Sequence, residues 1–349
     1  MVFSEILLKI PYSIVWKISN FFRKSELIAF YCHELLDYEI FRNVHKLLPK
    51  IQVIAKNKKL AKELGAKYGI NCKIYPVFPD VVIMARHSLH LFPTSNIIKI
   101  GLRHGAYHFK NFISAEKYNK FDLFFFTSIS EVEQASKLGI KNAEYGGFPK
   151  CDTLFDEKIK IEANKLKELL VYPDKPTILF SSTWDKSGIA GVHFWYDRLD
   201  ELSGKYNVLV TLHPWVSMQI VDKIKKTKNV KLISNDEIYK YMLISDVFVA
   251  DVSSIIAEFM LLGKPIFTFK IPIKGRLSEE IYDLLEKYTI RIANFDDLNR
   301  ELFRVLQERD KKWDYEHCLN LFFSGNLGRH SQIMAGKIKS YLLTKGIEI

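Results

Sequence analysis

The sequence predicts an α/β protein of two Rossmann-like domains with parallel sheets, and three observations predict it. Short apolar runs alternate with helix-patterned segments along most of the chain, as expected for parallel strands covered on both faces. The alternation breaks at Tyr172-Pro173-Asp174-Lys175-Pro176, a turn or linker, and then starts again. The chain has 349 residues, enough for two domains at roughly 100–200 residues each. Neither half carries a Gly-rich dinucleotide fingerprint. That pairing suggests a two-domain transferase with its site in the cleft between the domains, beyond the carboxyl ends of the strands.

The elements follow in order. Ile6–Lys24 reads as an apolar helix with a basic side (Lys9, Lys17, Arg23, Lys24) and an interfacial Trp16. This pattern fits a helix lying on an anionic membrane or one packed on its own domain, and periodicity does not separate the two. Strands are expected at Leu27–Cys32, Ile51–Ala55, Val81–Met84, Ile97–Leu102 and Leu123–Thr127. Helices are expected at Glu34–Leu48, Lys58–Tyr68 and Ser130–Leu138, the last stopped by Gly139. A polar helix near Glu162–Leu170 precedes the second series. There the strand candidates are Ile178–Phe180, Val208–Leu212, Val230–Ile233, Val247–Ala250 and Ile266–Phe269, and Gln332–Leu343 is a closing helix. The expected division is an N-terminal domain over 1–165, a C-terminal domain over 172–328, and a helix over 329–349 that packs back on the first domain.

Composition narrows the class. Hydrophobic residues are 48% and charged residues 26%, which excludes a disordered tail, a collagen-like fibre and a disulfide mini-domain. Cys32, Cys72, Cys151 and Cys318 are far apart with no C-x-x-C pair, which fits a reducing cytosol and no zinc site. No signal peptide or spanning segment is expected. Lys and Arg total 51 against 40 Asp and Glu, a net +11. The first 120 residues hold 19 basic and 8 acidic side chains, 19 − 8 = +11, so the rest is neutral. No basic stripe interleaved with aromatics accompanies that surplus, so nucleic acid is not the expected partner.

Four strand-end loops carry residue types suited to chemistry. Gly101-Leu102-Arg103-His104-Gly105 places a histidine and a permissive glycine at a strand end. Gly146-Gly147-Phe148-Pro149-Lys150-Cys151-Asp152 forms a tight turn with a lysine that can meet a phosphate, or an interdomain turn with a solvated lysine. Leu212-His213-Pro214 ends another strand. The fourth runs from Val247 to Phe259. It reads as a strand, then Asp251-Val252-Ser253-Ser254, then a helix bearing Glu258. Serines at a helix start cap it, and with the free N–H groups there they form an anion cradle. His108, four residues after His104, is read as a supporting or surface side chain, and no Asp-x-Asp metal cradle is seen.

These motifs, with Ser181-Ser182-Thr183-Trp184 and the closing Leu262-Gly263-Lys264-Pro265, run in order over about 81–269. The series resembles the CDP-glycerol glycerophosphotransferase family of teichoic acid and capsule enzymes. The resemblance implies a GT-B fold, its two domains facing across a cleft, with CDP held mainly by the C-terminal domain. It implies His104 as general base toward the acceptor hydroxyl and His213 at the diphosphate. Ser253 and Ser254 would bind phosphate, with Asp251 organising their turn. Glu258 would hold polyol or ribose hydroxyls, Thr183 and Trp184 would line the nucleotide pocket, and Lys150 would meet a phosphate. Arg103, Ala106, Lys150 and Val252 depart from the family's usual Trp, Thr, Arg and Tyr.

The implied reaction moves glycerol phosphate, or a related polyol phosphate, from a CDP-alcohol to a polymer hydroxyl and releases CMP, with no cofactor or metal. The implied partners are the CDP-activated donor, an anionic polymer or lipid-linked glycan acceptor, and the inner face of the bacterial cytoplasmic membrane. The alternatives are a GT-B glycosyltransferase using a CMP- or UDP-sugar, and a non-catalytic assembly protein on the same scaffold.

Overall fold

The computed structural model describes residues 3–109, 114–170, 172–271, 278–308 and 311–349. The chain divides into two units. Described residues up to Tyr107, from 114 to 152 and from 321 onward form the first; His108, Phe109 and 153–320 form the second.

The first unit holds β1 (Ile28–Cys32), β2 (Gln52–Ala55), β3 (Lys73–Ile74), β4 (Val81–Met84), β5 (Ile98–Leu102), β6 (Leu123–Phe126) and β7 (Ala143–Tyr145). They form one parallel sheet in the order β3-β2-β1-β4-β5-β6-β7. The central strands β1 and β4 are buried at every position, which is why they read as continuous apolar runs rather than alternating ones. Helix Lys58–Tyr68 begins where Asn57 accepts the Leu60 N–H and ends at Gly69, whose φ is +69°. Helix Ile129–Lys137 begins where Ser128 accepts the Glu131 N–H.

The second unit holds β8 (Thr177–Ser182), β9 (Asn207–Leu212), β10 (Val230–Leu232), β11 (Val247–Ala250), β12 (Ile266–Phe269) and β13 (Ile290–Ile292). This sheet is also parallel, ordered β10-β9-β8-β11-β12-β13. Its core packs Phe180, Trp195, Val210, Val249 and Phe267 with the apolar face of helix Phe295–Gln307. In both sheets the strand order runs outward from the first strand and then reverses, and that switch point is where ligands bind in such folds.

The division differs from the expected one at both ends. Residues 153–165 belong to the second unit, because helix Glu157–Glu168 packs on helix Ile238–Ile244 and Glu162 pairs with Lys240 at 2.8 Å. Residues 321–328 belong to the first. There Phe322 packs on Tyr107, Tyr145 Oη donates to Phe323 O (3.0 Å), and Ser324 Oγ accepts Ile129 N–H (2.7 Å). Helix His330–Leu343 lies against helix Leu35–Leu47 in the first unit. Edge strands β3, β7 and β13, two or three residues each, escaped the sequence reading because so short a strand carries no apolar run to read.

The N-terminal helix spans Phe3–Phe21; the side chains of Ile6 and Leu7 lie outside the described residues. Trp16 is not interfacial. It is buried in its own unit, with Nε1 donating to Pro79 O (2.7 Å), and Tyr12 beside it donates to Val77 O (2.8 Å). The opposite side leaves Ile10, Ile14, Ile18, Phe21 and Phe22 more than half exposed. Among the described residues no helix is long and apolar enough to cross a membrane.

Candidate active site

Strands β9, β8 and β11 are neighbours, and their carboxyl ends deliver His213, Thr183-Trp184 and Asp251-Ser254 to one edge of the second sheet. Asp251 ties the edge together. Its Oδ2 accepts from Ser182 Oγ (2.8 Å), Thr183 N (2.7 Å), Thr183 Oγ1 (3.0 Å) and Gly191 N (3.2 Å). The residue is 1% exposed and Oδ1 makes no hydrogen bond among the described residues. Burial raises its pKa, opposed by the bonds from Thr183, Ser182 and Gly191. A buried acceptor with four donors fixes a loop; it does not present a carboxylate to a ligand. The resemblance implies Asp251 as organiser of the Ser253-Ser254 turn, and its described bonds run to the neighbouring loop instead. Asp251 shapes the Ser182–Gly191 loop, and a Cβ at Gly191 would lie 3.3 Å from the Asp251 Cβ.

His213 is exposed. Its backbone N–H donates to Ser182 O (3.2 Å), and its Nδ1 accepts the Trp215 N–H (3.2 Å). With Nδ1 accepting, the neutral ring carries its proton on Nε2, a tautomer assigned from that bond. Trp215 stands 69% exposed, edge-on to both His213 and Trp184. Ser253 and Ser254 are half-buried, and among the described residues neither hydroxyl makes a hydrogen bond; Ser254 does not cap the helix Ile255–Met260 that it precedes. Glu258 is buried, and its Oε2 accepts from Tyr239 Oη. A ligand reaching Glu258 finds one of its oxygens already engaged.

The first unit holds His104 and Lys150. His104 is exposed just past β5. Arg103, the departure that stands before it, points inward. Its Nε lies 3.1 Å from Oε1 of fully buried Glu131, and its Nη2 donates to Tyr107 O (3.0 Å). Glu131 Oε2 also accepts from Thr127 N (2.9 Å) and Oγ1 (3.0 Å), and Thr127 Oγ1 accepts the Tyr107 N–H (3.1 Å). This network sets Tyr107 at φ +61° and closes the His104 loop. His108, expected as a supporting or surface residue, is buried.

Lys150 is 7% exposed, so it is no exposed point charge for a donor phosphate. The motif around it is structural. Asp152 accepts from His330 N (3.1 Å), Ser331 N (2.6 Å) and Ser331 Oγ (2.5 Å), satisfying the free N–H groups of helix His330–Leu343. Gly147, at φ +73°, lies against the His330 ring, where a Cβ would come within 2.6 Å.

Sequence reasoning missed Trp215, Asp185 and Ser217. Ser217 N donates to Asp185 Oδ1 (3.1 Å) and Ser217 Oγ to Oδ2 (2.5 Å), joining the loop after β8 to the loop after β9. Burial pushes the Asp185 carboxyl up, but the Ser217 hydrogen bonds outweigh it and hold the pKa below the usual range. An exposed Trp next to His-Pro was the one available signal.

Two doubly wound parallel sheets, with histidine and serine loops at their carboxyl ends, define an α/β protein of GT-B type. Residues 114–324 match the family described as CDP-Glycerol:Poly(glycerophosphate) glycerophosphotransferase, and the chain belongs to that family. It is 27% identical over 256 residues to the teichoic acid ribitol-phosphate polymerase TarL of Staphylococcus aureus, covering 67% of this chain and 45% of that protein. It is 25% identical over 282 residues to the teichoic acid poly(ribitol-phosphate) polymerase of Bacillus spizizenii, covering 72% and 42%. The chain thus spans less than half the length of these relatives.

Among solved structures, a variant of the wall teichoic acid polymerase TagF soaked with CDPG superposes with a TM-score of 0.70 at 14% identity, covering 96% of this chain and 92% of that one. The S. aureus MnaA–UDP structure gives 0.62 at 12% identity, covering 93% and 99%. At these identities the likeness shows the fold.

Proposed function

We propose that the chain transfers a polyol phosphate, glycerol or ribitol phosphate, from a CDP-alcohol to a hydroxyl of a teichoic-type polymer and releases CMP. One observation carries this reading. The adjacent ends of β8, β9 and β11 bring Thr183, His213 and the Ser253-Ser254 pair to the switch point of the second sheet, tied by Asp251. That edge offers unengaged hydroxyls, an imidazole N–H and exposed aromatic faces, which suit a nucleoside diphosphate. Family membership and the polymer-forming relatives support the donor and acceptor classes.

In the proposed step the acceptor oxygen bonds to the β-phosphorus and its proton passes to His104. The anhydride bond breaks, its electrons leave with CMP, and His213 Nε2–H with the Ser hydroxyls stabilises the phosphate charge. The reading needs no cofactor beyond the donor. The exposed apolar row of the N-terminal helix, flanked by Lys9, Lys17 and Lys24, supports placing this chemistry on the anionic inner face of the cytoplasmic membrane.

The test offers the protein CDP-glycerol, CDP-ribitol, and CMP- and UDP-sugars in parallel, each with a polyol-phosphate acceptor. CMP release with a new phosphodiester supports the reading. Turnover of a nucleotide sugar alone overturns it in favour of a glycosyltransferase.

A further inference from the structure

The carboxyl edge of the first sheet holds a second cluster that the reaction above does not use. His33 directly follows β1, Lys56 directly follows β2, and Arg86 lies two residues beyond β4. These strands are neighbours in the order β2-β1-β4, and the strand order reverses at β1 and β4. This is the switch point of the first sheet, the counterpart of the donor edge in the second.

The two cations there differ in their partners. Arg86 is clamped: its Nε lies 2.8 Å from Oδ1 of buried Asp37, and its Nη2 meets Glu34. Asp37 Oδ2 in turn accepts the backbone N–H groups of His33 (2.7 Å) and Glu34 (3.2 Å), so the His33 loop is held rigidly. Lys56 is exposed and makes no ion pair among the described residues. Its Nζ instead lies 2.9 Å from His33 Nε2. Only one proton fits between those nitrogens, so the ammonium donates and the imidazole accepts, its own proton on Nδ1. Lys58 and Lys59 follow, with no acidic residue in that helix's first turn. A preset loop thus aims an unneutralised ammonium and an imidazole at one place, an arrangement that an anion completes.

We propose that Lys56 and His33, on the loop that Arg86 holds in place through Asp37, form a subsite for a phosphodiester of the acceptor chain. The inference rests on the transfer reading above. On the same edge His104 follows β5, the neighbour of β4. Neighbouring strands lie about 4.8 Å apart, so His33 and His104 stand on the order of 10 Å apart along that edge. A chain whose end hydroxyl meets His104 would lay an earlier phosphodiester on Lys56. The subsite would make the enzyme prefer a polyol-phosphate acceptor to a bare alcohol.

The experiment uses the full chain, its Lys56→Gln and Lys56→Glu variants, and a soluble glycerol-phosphate oligomer. Lys56 is exposed, so neither variant disturbs packing; His33→Gln is the second site. Three readouts are taken: calorimetric affinity for the oligomer, the acceptor KM and kcat, and the His33 ring resonances during titration. The ring is read together with the groups that face it, Lys56, Asp37, Arg86 and Glu34.

The expected result is oligomer affinity weakened about tenfold or more in Lys56→Gln, as for the loss of one hydrogen bond to a charged group. The effect falls on the acceptor KM rather than on kcat, and donor affinity is unchanged. Unchanged oligomer affinity in both Lys56 variants overturns the subsite even if polyol-phosphate transfer is found. Weakened oligomer affinity, in a protein that turns over no CDP-alcohol, keeps the subsite and overturns the transfer reading. Loss of binding to anionic vesicles with intact oligomer binding assigns the anion to a lipid headgroup and overturns the acceptor assignment.

Discussion

Asp251 and Arg103 show how single residues divide between chemistry and scaffolding. Asp251 sits two residues before Ser253, where the resemblance makes it the organiser of that turn, and its accepting oxygen is filled by the Ser182–Gly191 loop. Asp251→Ala strands those donors, and donor affinity should fall at least about tenfold, checked by CDP titration. His104→Ala and His213→Ala should each cost about 10²-fold or more in turnover with the fold intact, measured as CMP release alongside circular dichroism. Arg103, by contrast, belongs to a buried network with Glu131 and Thr127, so its departure from the family's usual Trp concerns how the His104 loop is held.

Beside it His87 packs against Tyr118, Phe121 and Phe124. Burial first, then the charges of Arg103 and Lys117, lowers its pKa from 6.5 to about 4. Between those values the unfolded chain binds more protons than the folded one, so stability is full above about pH 6.5 and is lost as pH falls toward 4. Urea unfolding at pH 7 and 4.5 should show this loss, and His87→Phe should flatten it relative to the parent. Equal slopes in both would remove His87 from the acid response.

At the level of elements, most strands and helices were legible because buried parallel strands are continuous apolar runs and helices declare their caps. Lys58–Tyr68 and Val81–Met84 carry the same bounds in sequence and structure. What was not legible depended on partners far along the chain. Gly146-Gly147 and Lys150-Cys151-Asp152 read locally as a phosphate turn. Their partner is helix His330–Leu343, with Asp152 bonded 178 residues away to His330. Gly147→Ala meets both a positive φ and the His330 ring, and Asp152→Ala leaves the start of that helix without acceptors. Each should cost about 1–3 kcal/mol of stability, measured by chemical unfolding. The N-terminal helix was half legible: its amphipathic pattern was plain, but two sides of it are apolar and only the fold shows which one the protein covers.

For the whole molecule, the +11 charge lies in the first 120 residues, and all of these but residues 108–111 belong to the unit that carries the exposed apolar row, the Lys56 cluster and His104. The neutral remainder carries the edge proposed for the donor, so in that proposal local hydroxyls and imidazole, rather than bulk charge, meet the nucleotide. Ile18→Gln with Phe21→Ser and Phe22→Ser should reduce flotation with anionic vesicles without lowering the melting temperature, because all three side chains are exposed. Trp16→Ala should instead destabilise the fold by about 3 kcal/mol or more.

The proposed transfer of polyol phosphate is checked at its source by donor turnover. The protein is given CDP-glycerol or CDP-ribitol with a glycerol-phosphate oligomer, and CMP and oligomer length are followed together. The expected result is CMP released in step with the oligomer growing by one polyol phosphate per CMP, slowed about 10²-fold or more in His104→Ala. No CMP from either CDP-alcohol, with turnover of a CMP- or UDP-sugar under the same conditions, would contradict it.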